Sequence, residues 1–353
     1  MYRPSRQLAA LLFLPGLAYE GLVRLRNQFY SSRVLPSRRL TNGVISIGNI
    51  TLGGSGKTPL AIYICQLIRK MGGSPALLSR GYGRSDARRI LILSPQDADS
   101  AGAQSLGDEA LLIRRHVPGI WLGLARDRLA AAEKILALQK DAVFVLDDGF
   151  QHRQLGRTLD LVVLDRTQPL FNNRIFPRGS LREPLTALSR ADALVVHGCG
   201  VDVEPDEFEI RLVEFLPEAR IFHCVHKMDD LIPLAAWRKS GAPEAVAKKP
   251  TSVFLVAAIG NPVRFRYDAA MLTPDVRGAH FYRDHYCLRD SDWRACISEA
   301  SSRGAEAIMT TEKDAVKMTG EPEFPVFVAV QSIVFREQDV FEKMIHDSMK
   351  ERL

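Results

Sequence analysis

The stretch that most constrains this chain is Ile45–Thr58, Ile-Ser-Ile-Gly-Asn-Ile-Thr-Leu-Gly-Gly-Ser-Gly-Lys-Thr. The apolar run Val44, Ile45 and Ile47 reads as a buried strand. Pro59 opens a segment whose apolar residues, Ala61, Ile62, Cys65, Ile68 and Met71, recur with helical period. Strand, glycine turn, Gly-Lys-Thr and helix make up a P-loop unit. Gly53, Gly54 and Gly56 leave no Cβ between the backbone N–H groups and a phosphate. The helix start adds unpaired donors and the positive end of its dipole. Lys57 can reach the β/γ-phosphates of ATP, and the Thr58 hydroxyl can bind Mg²⁺. The nucleotide-binding residues expected are therefore Thr51, Leu52, Gly53, Gly54, Ser55, Gly56, Lys57 and Thr58. Thr51 stands where G-x-x-x-x-G-K-[ST] has its first glycine, so an ordinary glycine-rich strand–helix turn is the competing reading.

With 353 residues the chain is long enough for two domains. A net charge of +6 suits a nucleotide, a phosphorylated substrate or an anionic membrane surface, and no nucleic-acid partner is expected. The five cysteines are scattered and form no C-x-x-C, so neither a disulfide framework nor a zinc site is expected.

Residues 1–40 are the compositional oddity. Leu8–Leu14 and Leu17–Tyr19 are apolar, broken by Pro15-Gly16 and surrounded by Arg3, Arg6, Arg24, Arg26, Arg33, Arg38 and Arg39. The run is short of the ~20 apolar residues that span a bilayer. A cleaved signal peptide and a helix packed on the protein's own core are both open readings. The favoured one is a basic helix with an apolar face lying in a membrane interface.

Beyond the P-loop, apolar runs that read as strands alternate with helices. Ala76–Ser79 runs into Arg80-Gly81-Tyr82-Gly83-Arg84. Arg89–Leu93 follows, then Gly107-Asp108-Glu109 before the helical run Ala110–Arg115. Ile120–Leu124 leads to Asp127, a natural N-cap for Leu129–Gln139. Ala142–Leu146 ends in Asp147-Asp148-Gly149-Phe150-Gln151-His152, and Leu159–Leu164 ends in Asp165. The expectation is an α/β fold, a doubly wound parallel sheet of P-loop NTPase type over residues 41–221, with ligand groups at the strand ends. Its last helix is expected at Pro184–Arg190. The pattern restarts past residue 220, which implies a second, smaller α/β unit over 222–353. The extended segments 222–233 and 326–335 are read as a two-stranded hinge between the units.

A P-loop also needs a carboxylate to hold its metal. Asp147 fits best, with Asp148 beside it; Asp165 is the rival. GTPase signatures are absent. The deviant P-loop of partition ATPases would need a lysine at Leu52. A membrane-recruited switch or partition-type ATPase is nevertheless the alternative function, and a soluble small-molecule kinase is a third.

These motifs, Ser46–Asn49 before Gly53–Pro59, Ser79–Gly83, Gly107–Glu109, Asp147–His152, Leu181–Pro184, Asp284-His285 and Thr311–Lys317, occur in the order of one family. The chain resembles the tetraacyldisaccharide 4′-kinases, the lipid A 4′-kinases of Gram-negative bacteria. Ala110 and the turn around Asn261 depart from the family pattern in loop detail. The resemblance implies transfer of the ATP γ-phosphate to the 4′-hydroxyl of an acylated glucosamine disaccharide 1-phosphate, using Mg²⁺. It implies a peripheral protein on the cytoplasmic face of the inner membrane; a monomer is expected. It further implies a base pair formed by Asp108 and His285, with Lys57, Asp148 and Arg182 in the catalytic machinery. Arg80, Tyr82, Arg128, His152 and Glu183 fall at substrate positions. Asp108 lies in the first unit and His285 in the second, so that pair assembles only across a cleft. Lys313 and Asp314 stand open between a functional role and a structural ion pair.

Overall fold

The computed structural model describes residues 11–53, 56–81, 84, 86, 88–97, 106–171, 173–198, 206–216, 220–239, 249–284, 286–318 and 320–350. Among these, the apolar runs form the strands β1 (Val44–Gly48), β2 (Ser74–Ser79), β3 (Leu91–Leu93), β4 (Trp121–Leu124), β5 (Ala142–Asp147) and β6 (Leu159–Asp165). The chain continues with β7 (Ala193–His197), β8 (Arg220–Pro233), β9 (Ser252–Ala257), β10 (Asp275–Phe281), β11 (Ala307–Thr311) and β12 (Val326–Phe335). They share one sheet in the order β10-β9-β11-β12-β8-β7-β6-β1-β5-β2-β4-β3.

Two parallel blocks meet in that sheet. The strands from β8 through β4 pair in parallel, with β3 antiparallel at the edge. The strands β10, β9, β11 and β12 form the second parallel block. Such strands are buried on both faces, which is why β1 and β5 read as near-continuous apolar runs. The blocks are joined by antiparallel pairing of β8 with β12, from Phe327↔Pro233 to Phe335↔Cys224.

Strand β8 leaves β7 at His197↔Cys224, and β12 leaves β11 at Thr311↔Ala329. Because β8 and β12 run in opposite directions, the carboxyl ends of the two blocks face each other across the middle of this ribbon, near His226↔Ile333. Open α/β sheets bind ligands outside the carboxyl ends of their strands. Here both blocks offer those ends to one crevice.

The C-terminal helix Gln338–Lys350 returns to the first block, although the sequence expectation places 222–353 together. Phe341 and Ile345 join the core around Ile64 and Ile68. Phe335 and Phe341 stack at 4.2 Å, and the Tyr63 hydroxyl donates to Glu342 Oε1 at 2.8 Å. Two other elements differ from expectation. Residues 184–190 form a 3₁₀ turn, Leu185–Arg190, and β10 is a strand that polar Asp275, Arg277 and His280 hide from periodicity.

The N-terminal helix Phe13–Ser31 runs through Pro15-Gly16, because a proline in the first turn has no intrahelical N–H partner to lose. Its amphipathicity is turned outside in. Gly16, Glu20, Val23 and Asn27 face the protein, while Leu11, Leu14, Leu22, Leu25 and Phe29 lie exposed on the other side at helical spacing. Gly16 is buried against Arg178. Leu8 and the rest of residues 1–10 lie outside the described residues. Among those described, no helix is long and apolar enough to cross a membrane.

Candidate active site

The site grows from the end of β1. Gly48 has no Cβ, and one placed there would stand 2.4 Å from Phe150 Cβ and 2.6 Å from its N. The glycine thus lets the turn after β5 close onto the strand that feeds the P-loop. That turn carries Asp148 at φ 48°, a left-handed conformation that costs a non-glycine residue energy and is held by its surroundings.

On the other side, Gly56 caps the helix Lys57–Lys70 at φ 76°. A Cβ there would meet His226 at 2.5 Å and His197 at 3.1 Å, two imidazoles stacked with centroids 4.7 Å apart. The P-loop therefore rests on the β7 end and the β8 ribbon. The N–H of Leu52 donates to Ser180 O at 2.6 Å, and Thr51 bridges Leu181. Thr51 and Leu52 of the expected nucleotide set are thus anchored to the segment 180–182. Leu52 spends its donor tying the loop to the Arg182 segment, and Thr51 is tolerated in place of glycine because it sits in that bridge. Gly54 and Ser55 lie outside the described residues.

Charge converges on Asp148. Lys57 Nζ lies 3.5 Å from Asp148 Oδ1, and Arg182 Nη1 donates to both carboxylate oxygens at 2.9 and 2.8 Å. Burial opposes ionisation of Asp148, but Lys57, Arg182 and Arg128 outweigh it and hold the carboxyl below its usual range. Asp147 behaves oppositely. It is buried, accepts from Ser79 Oγ at 3.1 Å, and is pushed up to about 7 by burial, then by the Glu109 and Asp148 carboxylates. A carboxyl in that state gains from a cation.

Thr58 Oγ1 donates to Glu109 Oε1 at 3.3 Å, so the hydroxyl, Asp147 and Glu109 share one neighbourhood. Among the described residues no three His, Cys, Asp or Glu side chains form a closed metal cage. Mg²⁺ keeps waters and takes one or two carboxylates together with substrate phosphates, and the Thr58 hydroxyl with Asp147 offers such a partial donor set.

Basic groups ring the pair. Arg128 lies in the field of Asp148 and Asp147, and Arg80, just past β2, is near enough to oppose it. Arg128 Nη1 is 3.4 Å from His152 Nδ1. Burial, with Arg128 and Arg157 beside it, pushes His152 down to about 4, so its ring is neutral at pH 7. Nε of Arg128, Nε of Arg182 and Nε2 of His152 are buried without a hydrogen-bond partner. Buried donors left open beside two carboxylates suit an incoming anion.

Glu183, expected at a substrate position, is buried and accepts from Arg190 at 3.0 Å and Asn27 at 2.7 Å, linking the N-terminal helix to this loop. The carboxylates closest to Arg128 along its helix are engaged elsewhere: Asp127 caps the helix through Ala130 N, and Glu133 pairs with Arg38.

Asp108 opens the helix Asp108–His116 behind Gly107. Lys313, from the turn after β11, reaches Glu109 Oε1 at 3.0 Å, while Asp314 binds Ala258 N at 3.0 Å and Lys317 at 3.0 Å. Lys313 and Asp314 thus have separate partners instead of forming an ion pair. Tyr82 and His285 lie outside the described residues. Sequence reasoning gave Glu109 no role of its own, although it closes the Gly107-Asp108-Glu109 motif.

A P-loop lysine and threonine, a buried carboxylate at the next strand end and a surrounding arginine cluster define an ATP-using phosphotransferase of the P-loop class. The model of the tetraacyldisaccharide-1-P 4′-kinase family matches residues 8–350. The tetraacyldisaccharide 4′-kinase of Syntrophus aciditrophicus is 35% identical over 97% of this chain and 94% of its own. That of Anaeromyxobacter sp. strain Fw109-5 is 37% identical over 88% and 83%. A crystal structure of LpxK from Aquifex aeolicus in complex with ATP superposes with a TM-score of 0.74 at 26% identity, covering 97% of this chain and 99% of that one. The chain belongs to the tetraacyldisaccharide-1-P 4′-kinase family.

Proposed function

We propose that this protein transfers the γ-phosphate of ATP to the 4′-hydroxyl of a tetraacylated glucosamine disaccharide 1-phosphate, at the cytoplasmic face of the inner membrane. The observation that carries the reading is the convergence of Lys57, Asp148 and Arg182 beside buried Asp147 and Thr58, in a crevice closed by two sets of strand ends. Phosphoryl transfer asks for positioning and charge neutralisation more than covalent chemistry. Lys57 and the N–H groups from Gly53 onward bind the phosphates. Arg182 and Arg128 neutralise charge on the transferring group. Thr58 and Asp147 would hold Mg²⁺, which would supply charge neutralisation.

The acceptor proton goes to a base formed by Asp108 with His285, the first oriented at its helix start and the second contributed by the other unit. Bending of the β8–β12 ribbon brings the two units together over the substrate. The exposed leucine face of the helix Phe13–Ser31 supports a peripheral position on the bilayer, where an acylated sugar resides.

The test is ATP consumption with the purified tetraacyl disaccharide 1-phosphate. Wild type turns over only with the acceptor, and Lys57→Ala loses at least ~10²-fold in turnover. ATP hydrolysis that ignores the acceptor defeats the proposal.

A further inference from the structure

The turn after β11 is the place where the second block touches the candidate catalytic helix at both ends. Glu312 Oε1 takes His116 Nε2 at 2.7 Å, at the C-terminal end of the helix Asp108–His116. The same oxygen takes Trp237 Nε1 at 2.9 Å, and Arg115 stacks over that indole at 4.0 Å. Lys313, the next residue, takes the other end. Its Nζ donates to Glu109 Oε1 at 3.0 Å, the atom that also accepts from Thr58 Oγ1 at 3.3 Å.

We propose that Lys313 is a positioning residue for phosphoryl transfer, a cation from the second block that holds Glu109, and through it the Thr58 hydroxyl and the Asp108 turn, in their working arrangement. This deepens the kinase reading and rests on it.

A hydroxyl has one proton to give and two lone pairs to offer. When Glu109 takes the Thr58 proton, the lone pairs are left for a ligand on the opposite side. That orientation lasts only while Glu109 stays in place. Glu109 shares its surroundings with Asp147 and with Asp108, its neighbour in the chain. Neighbouring carboxylates repel one another unless cations lie among them. Lys57 is the cation beside Asp147, and Lys313 is the one that holds Glu109 and faces Asp108.

Burial alone would lower the pKa of its ammonium, but Glu109 first, then Asp108 and Asp284, outweigh burial and keep it raised, so the charge is permanent at physiological pH. Asp284 belongs to the second block and Asp108 to the first, so Lys313 is shared by acidic groups from both sides of the crevice. Removing it frees Glu109 to swing away from Thr58 and lets the Asp108 turn drift. A displacement of about 1 Å at such a site costs on the order of 100-fold in rate.

The experiment compares wild type with Lys313→Met, which keeps the aliphatic stem and its packing, and Lys313→Arg, which keeps the charge. Acceptor-dependent turnover, nucleotide affinity from a fluorescent ATP analogue and thermal melting are measured for each. Expected is a kcat about 100-fold lower in Lys313→Met, with nucleotide affinity within about threefold and an unchanged melting curve. Lys313→Arg recovers to within about tenfold of wild type, and propylammonium ion raises the rate of Lys313→Met saturably while leaving wild type unaffected.

Turnover of Lys313→Met within about threefold of wild type overturns the proposal. So does a loss that neither arginine nor propylammonium relieves while the fold is intact. If Lys313→Met fails to fold, Lys313→Arg decides: a folded arginine variant with no activity is equally fatal. A wild-type enzyme without acceptor-dependent transfer defeats the kinase reading and this role together, whereas a normal wild type with an unimpaired Lys313→Met defeats only the role of Lys313.

Discussion

Gly48→Ala is the change that tests most directly whether the turn after β5 must lie hard against β1. An alanine methyl would sit 2.4 Å from Phe150 Cβ, 2.6 Å from its backbone N and 3.0 Å from its Cα, where ordinary contact begins at 3.4 Å. Those atoms are the Cβ and backbone of Phe150, which no side-chain rotation moves, and Phe150 is fully buried beneath the Arg190 guanidinium, 4.3 Å away. The turn must therefore retreat by about 1 Å, carrying Asp148 from Lys57 and Arg182. Overpacking of this kind costs about 1–3 kcal/mol in stability. The same shift lowers kcat on the order of 100-fold, because the carboxylate and its cations lose their common geometry. Gly72→Ala is the matched control. Gly72 has φ 82° with nothing within 4 Å of a Cβ, so alanine there costs only backbone strain, about 1–2 kcal/mol. Urea unfolding and acceptor-dependent ATP consumption are measured on both variants. Similar stability losses, with activity lost in Gly48→Ala alone, are expected. A folded Gly48→Ala enzyme with kcat within about threefold of wild type refutes the reasoning.

Two further outcomes follow from the charges and the surface. Asp147 has its pKa raised from 3.8 to about 7, so the folded protein disfavours its ionised form. The penalty is absent below pH 4, grows as the pH rises toward 7 and is complete above it, by at most about 4 kcal/mol. Asp147→Asn should therefore melt higher than wild type at pH 8 without ligand, with the gap closing by pH 4, while transfer is lost; a gap independent of pH contradicts the assignment. On the helix Phe13–Ser31, Leu14, Leu22 and Leu25 are 75%, 66% and 46% exposed. Replacing all three by Gln removes about 1 kcal/mol each of half-immersed apolar surface, or about 100-fold in partition to anionic phospholipid vesicles, with the melting temperature unchanged. Undiminished co-sedimentation excludes that face as the membrane contact.

What was legible in the amino-acid sequence is what is local. The P-loop, its strand and its helix lie within consecutive residues, and strands buried on both faces cannot disguise their apolar runs. Asp127 as an N-cap was equally visible, since capping is settled within four residues. Strand β10 was not, because its half-exposed faces carry Asp275, Arg277 and His280. The pairings that build the site were hidden by distance along the chain: Asp148 with Arg182 across 34 residues and Glu109 with Lys313 across 204. No periodicity reports such a pair. Glu109 illustrates the difficulty. Alone it is one acidic residue in the first turn of a helix, favourable to the dipole anywhere. The packing of its helix against the P-loop helix makes it the partner of Thr58, and the turn after β11 adds Lys313.

The N-terminal helix carries the same lesson further, because its surroundings reverse the ordinary meaning of its sequence. A helix that served the fold would turn its leucines inward and its asparagine and glutamate outward. Here Asn27 donates to Glu183 at 2.7 Å, Arg26 to Gln151 O at 2.5 Å, and Arg153 returns a bond to Asn27 O at 2.7 Å. Glu183 adjoins Arg182 in the chain, and Gln151 follows Asp148 by three residues. The polar side of the helix is thus fastened to the two loops that carry the candidate phosphate-handling pair, and its apolar side is left to whatever lies outside. A surface that receives those leucines also sets the height of Asp148 and Arg182 above it, through hydrogen bonds instead of a flexible tether. For an acceptor whose acyl chains stay in the bilayer, the reacting hydroxyl has a fixed reach, and a rigidly mounted site can be matched to it.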